Sequence, residues 1–184
     1  MLLREQLLPH LADLYELTHE TVHLAVLRGT DIVYVNKIQG HRATRSPSRI
    51  GARLPAYCTG VGKALLAFDP TRPRLPSAGL PARTQYTLAD PRRFREELRR
   101  IRQDGIAYDR QEAAPGLTCV AVPIMGASGR PVAALSVAGA HHRFEPSRYA
   151  PALRRVAFEA ARALTAAKGR QAAAPHDVSR PSAA

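Results

Sequence analysis

At 184 residues the chain has the length for one domain with a sizeable core, and 45% apolar residues set it apart from disordered sequences. No apolar run approaches the roughly 20 residues that span a bilayer, and no secretory leader pattern is present, so a cytoplasmic protein without membrane partners is expected. The formal net charge is +12, yet all but three of the 27 basic residues are arginine, and no zinc finger, RNP-type or aromatic–basic motif accompanies them, so the charge alone does not argue for nucleic acid.

Leu3, Leu7, Leu11, Leu14 and Leu17 recur at steps of three and four, the pattern of an amphipathic helix. Pro9 predicts either a kink or a short lead-in followed by a helix from Pro9. Thr21–Leu27 alternates, Ile32–Ile38 is β-branched and aromatic, and Arg28-Gly29-Thr30-Asp31 joins them into a hairpin. His23 and His41 read as surface or strand-face residues rather than metal ligands. Residues 39–58 are polar, then proline-bearing, with a short strand expected around Ser48–Gly51.

Residues 59–68 form the next helix. Thr59 is placed to cap it, because its side-chain oxygen can accept a free N–H of the first turn. Gly60 and Gly62 at its mouth carry no side chain to cover the backbone. The leading N–H groups lack internal partners and the peptide dipoles add partial positive charge there, which suits a small anion such as a carboxylate. An ordinary loop-to-helix joint has the same spacing. A phosphate loop is excluded, because Tyr57 and Ala64 stand where that motif needs Gly and Ser or Thr.

Residues 69–90 carry four prolines and read as a long loop, either a lid near the anion site or a tolerated insertion. Asp90 or a neighbour caps a helix beginning at Pro91, with Phe94, Leu98 and Ile101 inward, a solvated arginine-rich outer face and Gly105 as its stop. Ile106–Glu112, Leu117–Met125 and Pro131–Ala138 follow as strands, the last two apolar enough to lie centrally. Glu145–Lys168 is the final helix, and residues 169–184 read as a disordered tail. The order predicts an α+β fold with a mainly antiparallel sheet and a single domain over residues 1–168.

Asp109, Cys119 and Ser136 interrupt these apolar strands. A polar group there costs free energy unless it finds a partner, supplied either by the protein or by a ligand over the sheet. Cys58 and Cys119 have neither CxxC spacing nor charged flanks, which indicates reduced, largely buried thiols and no disulfide or zinc site.

Glu20-Thr21-Val22-His23-Leu24, Thr59 through Ala67, Gly105 through Glu112, Gly116, Cys119 through Ile124 and Ala134 through Val137 together resemble the C-terminal effector-binding domain of IclR-family transcriptional regulators. The resemblance covers about residues 5–168. It implies a GAF-like fold, a central antiparallel sheet flanked by helices, that senses an organic acid or aromatic metabolite. By that resemblance the backbone N–H groups of Gly60 and Val61 meet the ligand carboxylate, Asp109, Cys119 and Ser136 complete the polar shell, and Thr59 belongs to the same ligand-binding set. No cofactor, metal or catalytic residue is implied. Homodimers or homotetramers are expected, with DNA contacted only through a winged helix-turn-helix domain not found in these residues. Ala138 stands where many relatives have a second serine, which shifts the expected ligand from a very small acid such as glyoxylate toward a larger, more apolar one. His19 replaces a common helix-ending glycine. Two other readings compete. One is a GAF-like cysteine enzyme using Cys119 with Asp109 and His141 or His142, or Cys58 nearer the helix mouth. The other is an oligomerisation module without a pocket.

Overall fold

The computed structural model describes residues 3–71 and 79–173, leaving aside the side chains of 168 and 171–173. In chain order these form α1 (Leu3–Thr18), β1 (Thr21–Arg28), β2 (Asp31–Ile38), β3 (Arg53–Pro55), a 3-10 turn (Ala56–Cys58), α2 (Gly60–Phe68), α3 (Pro91–Asp104), β4 (Ala107–Arg110), β5 (Leu117–Met125), β6 (Pro131–Ala140) and α4 (Pro146–Ala173). The strands make one six-stranded sheet in the order β3-β2-β1-β6-β5-β4, with every pair antiparallel. The expected α+β architecture is present.

Strand alternation divides the core in two. On β5, Val120, Val122 and Ile124 face one side with Val22 and Leu24 of β1 and Leu135 and Val137 of β6; α1 and α4 cover them through Leu7, Leu11, Leu14, Leu153, Val156 and Ala160. The opposite face carries Ala25, Tyr34, Ala107, Ala121 and Ala134, and α2 and α3 pack there through Val61, Leu65, Phe94, Leu98 and Ile101. Methyl-sized residues under α2 let it lie close to the sheet. Each large side chain buried by α3 contributes about 1.5–3 kcal/mol.

Most boundaries follow the sequence signals. Asp90 Oδ1 accepts from the Arg93 N–H at 2.8 Å, with Pro91 inside the first turn, and Gly105 ends α3 at φ 69°. His19 takes the left-handed conformation (φ 52°) that a glycine would adopt freely, and its N–H closes α1 on the Tyr15 carbonyl at 2.7 Å.

α1 is one helix from Leu3 to Thr18 with Pro9 inside it, so no separate lead-in precedes Pro9. Three expectations are corrected. The strand expected at Ser48–Gly51 lies instead at Arg53–Pro55, because Gly51 turns the chain at φ 83° before pairing with β2 begins. β4 stops at Arg110, where Gln111 adopts φ 65° and leaves the ladder. The last helix starts at Pro146 and continues to Ala173, so 169–173 are helical, while the remainder of the expected tail lies outside the described residues.

The second half of the 69–90 loop is anchored beside the β4–β5 connection: the Thr84 and Thr87 hydroxyls donate to the Gln111 and Glu112 carbonyls at 2.7 and 2.9 Å, and the Tyr57 hydroxyl donates to Pro81 O at 2.7 Å. Residues 72–78 of that loop lie outside the described residues.

Candidate functional site

The first turn of α2 is built as its sequence suggests. Thr59 is extended (φ −115°, ψ 146°), and its Oγ1 accepts from the Gly62 N–H at 3.0 Å. The Lys63 N–H goes to the Thr59 carbonyl at 2.9 Å. Gly60 and Val61 supply the remaining leading amides, and both residues line a cavity over the α2 face of the sheet. Thr59, Gly60, Val61, Asp109, Cys119 and Ser136 all border this one cavity, together with His23, Tyr34, Pro47, Leu54 and Ala113. The register explains the gathering. Asp109 pairs with Cys119, Cys119 with Ala138, and Ser136 with His23, so β4, β5, β6 and β1 each send a side chain to the same face.

The glycines are required by close approach. A Cβ on Gly62 would sit 2.1 Å from the Ala56 carbonyl oxygen, and one on Gly60 would sit 2.6 Å from Cys119 Sγ. The bare backbone at Gly60 was expected to leave room for a ligand. In this conformation the Cys119 thiol fills that space, close against the Gly60 backbone. The cavity is correspondingly tight, about 10 Å³, which is room for about one water.

The charges beneath the cavity come from a buried group that the sequence pattern left unremarked. Lys63 is fully buried, and its Nζ donates to Glu112 Oε1 at 2.5 Å and to Glu97 Oε1 at 3.2 Å. Asp109, 2% exposed, accepts the Glu112 N–H at 2.7 Å. Burial, with the Glu112 charge adding to it, pushes the Asp109 carboxyl up to about 7, against the pull of Lys63 and of the Glu112 and Ala113 amides. Burial raises Glu112 as well, with Lys63 opposing. A lone lysine among Gly, Val, Ala and Leu was the available signal, since a charge on an apolar helix needs a buried partner.

The other end of the cavity is organised by His23. Expected on the surface or a strand face, it is 3% exposed, because β1 lies inside the sheet with both faces covered. Its Nδ1 lies 3.3 Å from Ser136 Oγ, its Nε2 lies 2.7 Å from Ser48 Oγ, and its ring sits 5.1 Å from that of Tyr34. Burial, followed by the Lys37 charge, lowers it to about 3, so the ring is neutral at ordinary pH. Tyr34 faces the Cys119, Asp109 and Cys58 side, and burial raises its phenol.

Of the residues of the cysteine-enzyme alternative, Cys119 and Asp109 share the cavity, whereas Cys58 and His141 do not line it. Burial pushes the Cys58 thiol up to about 12, and its Sγ donates to the Pro55 carbonyl. Burial, then the Asp109 charge, raises Cys119 despite the Gly60 amide. His141 Nδ1 meets Thr118 Oγ1 at 3.0 Å, and Thr118, adjacent to Cys119 on β5, points to the other face. Among the described residues no group of three or more His, Cys, Asp or Glu is placed to hold a metal ion, and no helix is long and apolar enough to cross a membrane.

Residues 1–166 match the family described as bacterial transcriptional regulator IclR C-terminal. The chain belongs to this IclR C-terminal family. The IclR-family regulators similar to it include the HTH-type transcriptional regulator BhcR of Paracoccus denitrificans (strain Pd 1222), 35% identical over 166 residues, which are 88% of this chain and 58% of BhcR. The chain spans about half the length of the curated relatives it matches. Among solved structures, the IclR of Thermotoga maritima superposes with a TM-score of 0.80 at 33% identity over 90% of this chain and 69% of that one. A double mutant of the PobR transcription factor inducer binding domain from Acinetobacter, in complex with 3-hydroxybenzoic acid, gives 0.76 at 29% over 86% and 97%. With IclR C-terminal domains as its structural neighbours, the curled antiparallel sheet flanked by helices is the GAF-like fold.

Proposed function

We propose that this IclR C-terminal domain is the metabolite-sensing module of a bacterial transcriptional regulator, binding an aromatic or similarly sized organic acid between α2 and the sheet. The observation that carries the reading is the convergence of two leading helix amides, Asp109, Cys119 and Ser136 on one cavity with apolar walls. The ligand carboxylate accepts the Gly60 and Val61 N–H groups after Cys119 Sγ turns aside. Protonated Asp109 donates to a carboxylate oxygen, and Tyr34, Leu54, Pro47 and Ala138 enclose the ring. The similar PobR inducer binding domain, with its 3-hydroxybenzoic acid, supports an aromatic acid. Ligand binding shifts the population of loop or subunit arrangements and thereby DNA affinity, exerted through a DNA-binding domain outside this sequence. Self-association as a dimer or tetramer belongs to this reading. Catalysis does not, because burial holds both thiols protonated and, among the described residues, neither thiol is hydrogen-bonded to a histidine.

Thermal shift of the purified chain against benzoate, hydroxybenzoates and small keto acids tests the reading. A ligand at a hundred times its Kd adds about 2.7 kcal/mol of stability. That gain disappears in Asp109→Ala and shrinks in Ser136→Ala. A panel without any stabilising acid refutes the sensor, and a thiol that reacts fast with a disulfide reagent at pH 7.5 in the native protein revives the enzyme.

A further inference from the structure

We propose that His23, a residue assigned no role by the resemblance, sets ligand specificity by hydrogen-bonding an uncharged hydroxyl on the end of the acid opposite its carboxylate. The inference rests on the sensing reading above and adds the chemistry of the ligand's far end.

Strand geometry places the two polar ends of the cavity a ring's length apart. Cys119 and His23 lie two strands apart on the sheet, and the β6 residues they pair with, Ala138 and Ser136, are two positions apart. With strands about 4.8 Å apart and about 3.4 Å per residue along β6, Cys119 and His23 stand about 12 Å from one another. One six-membered ring with a hydrogen-bonding group at each end bridges that separation, and a two-carbon acid does not. The apolar walls between the ends, Tyr34, Leu54, Pro47 and Ala138, are those a ring needs.

The bonds at His23 show where the ligand enters. Nε2 is held at 2.7 Å by Ser48 Oγ, which also meets Ser46 Oγ at 2.7 Å, while the Ser48 carbonyl accepts Lys37 Nζ at 2.8 Å. These contacts fix the ring plane. The Nδ1 contact to Ser136 Oγ is longer, 3.3 Å, and is the one that yields to a ligand. A neutral imidazole beside a serine hydroxyl offers one donor and one acceptor, whichever tautomer is present. A ligand hydroxyl, itself donor and acceptor, completes both. A hydrogen atom in its place leaves only the long His23–Ser136 contact and gains neither bond. A second carboxylate only accepts, so it cannot donate to the acceptor of this pair as a hydroxyl does.

Isothermal titration of the chain with benzoate, 3- and 4-hydroxybenzoate and the two matching benzenedicarboxylates tests the assignment. At least one hydroxybenzoate binds about tenfold or more tighter than benzoate, and the dicarboxylates bind no better than benzoate. In His23→Leu the hydroxyl preference collapses to about threefold or less, and His23→Gln, which keeps one amide, retains part of it. Ser136→Ala, too small a change to threaten the fold, lowers the preference by at least about threefold and serves if His23→Leu is unfolded by circular dichroism. Benzoate binding without a hydroxyl preference in the native protein, or the full preference in a folded His23→Leu, overturns this proposal while leaving the sensor intact. Preference for a dicarboxylate overturns it as well. Failure of every acid to bind removes the sensing reading and this inference with it.

Discussion

Asp109→Asn is expected to stabilise the protein at pH 8 and to cost about 1–2 kcal/mol at pH 4. The native carboxyl titrates near 7 against an ordinary 3.8, chiefly because it is buried and secondly because Glu112 is close. A carboxyl whose folded value is raised favours the folded state fully only below its unfolded value. That stability is lost as pH rises from about 4 to about 7, then stays lost. At about 1.4 kcal/mol per unit over about three units, the ionised aspartate costs about 4 kcal/mol at pH 8. Asparagine keeps the oxygen that accepts the Glu112 N–H and carries no charge. Its NH₂ gains a hydrogen without a partner, which offsets about 1–2 kcal/mol. The net gain is about 2–3 kcal/mol, or roughly 5–10 °C in Tm for a chain of this size. Urea denaturation of both proteins at pH 4, 6 and 8 measures it. A difference that stays flat with pH, or an asparagine variant less stable at pH 8, refutes the argument that Asp109 is strained by its charge.

The same group ties ligand affinity to pH. A carboxylate bound next to Asp109 favours the protonated form, so Kd is constant below about pH 7 and rises by up to about tenfold per unit above it, a slope that Asp109→Asn removes; titration calorimetry in buffers of different ionisation enthalpy reads the proton taken up. Lys63→Met leaves Glu112 buried beside empty space and costs about 3–5 kcal/mol, while Lys63→Met with Glu112→Gln recovers most of it, and thermal melts separate the two. Gly60→Ala drives a methyl into Cys119 Sγ and costs about 1–3 kcal/mol, a loss that Cys119→Ala largely repairs, as urea titration of the single and double variants shows.

How much of this was legible in the sequence depended on the kind of signal. Caps and stops were local chemistry: Thr59, Asp90 and Gly105 do what their side chains, or the lack of one, allow. The sheet face shared by Asp109, Cys119 and Ser136 followed from a two-residue alternation that a single polar residue in an apolar run betrays. His23 escaped because alternation reads a strand as having one wet face, and β1 has none: its neighbours on both edges and helices on both sides are long-range facts. Lys63 was visible but silent, since its partners lie 34 and 49 residues away in α3 and after β4. The displaced third strand shows the reverse failure. Gly51 signals a turn, but which side of it pairs is decided by where β2 offers its edge.

The methyl-sized floor under α2 has a kinetic corollary. A helix seated that low, with Gly62 jammed against Ala56, has no slack to retreat when a guest arrives. Beyond the space that Cys119 frees, the volume for a ring has to come from the opposite wall, the span from Gln39 to Ala52 that carries Pro47 and is held through Gly40, His41, Arg42, Ser48 and the backbone at Tyr34. Entry is therefore resisted by the bonds that hold this wall, those at Gly40, His41, Arg42 and Tyr34 giving way while Ser48 keeps the His23 ring in place. Such a receptor fills slowly and with a steep temperature coefficient, and once filled it empties slowly for the same reason.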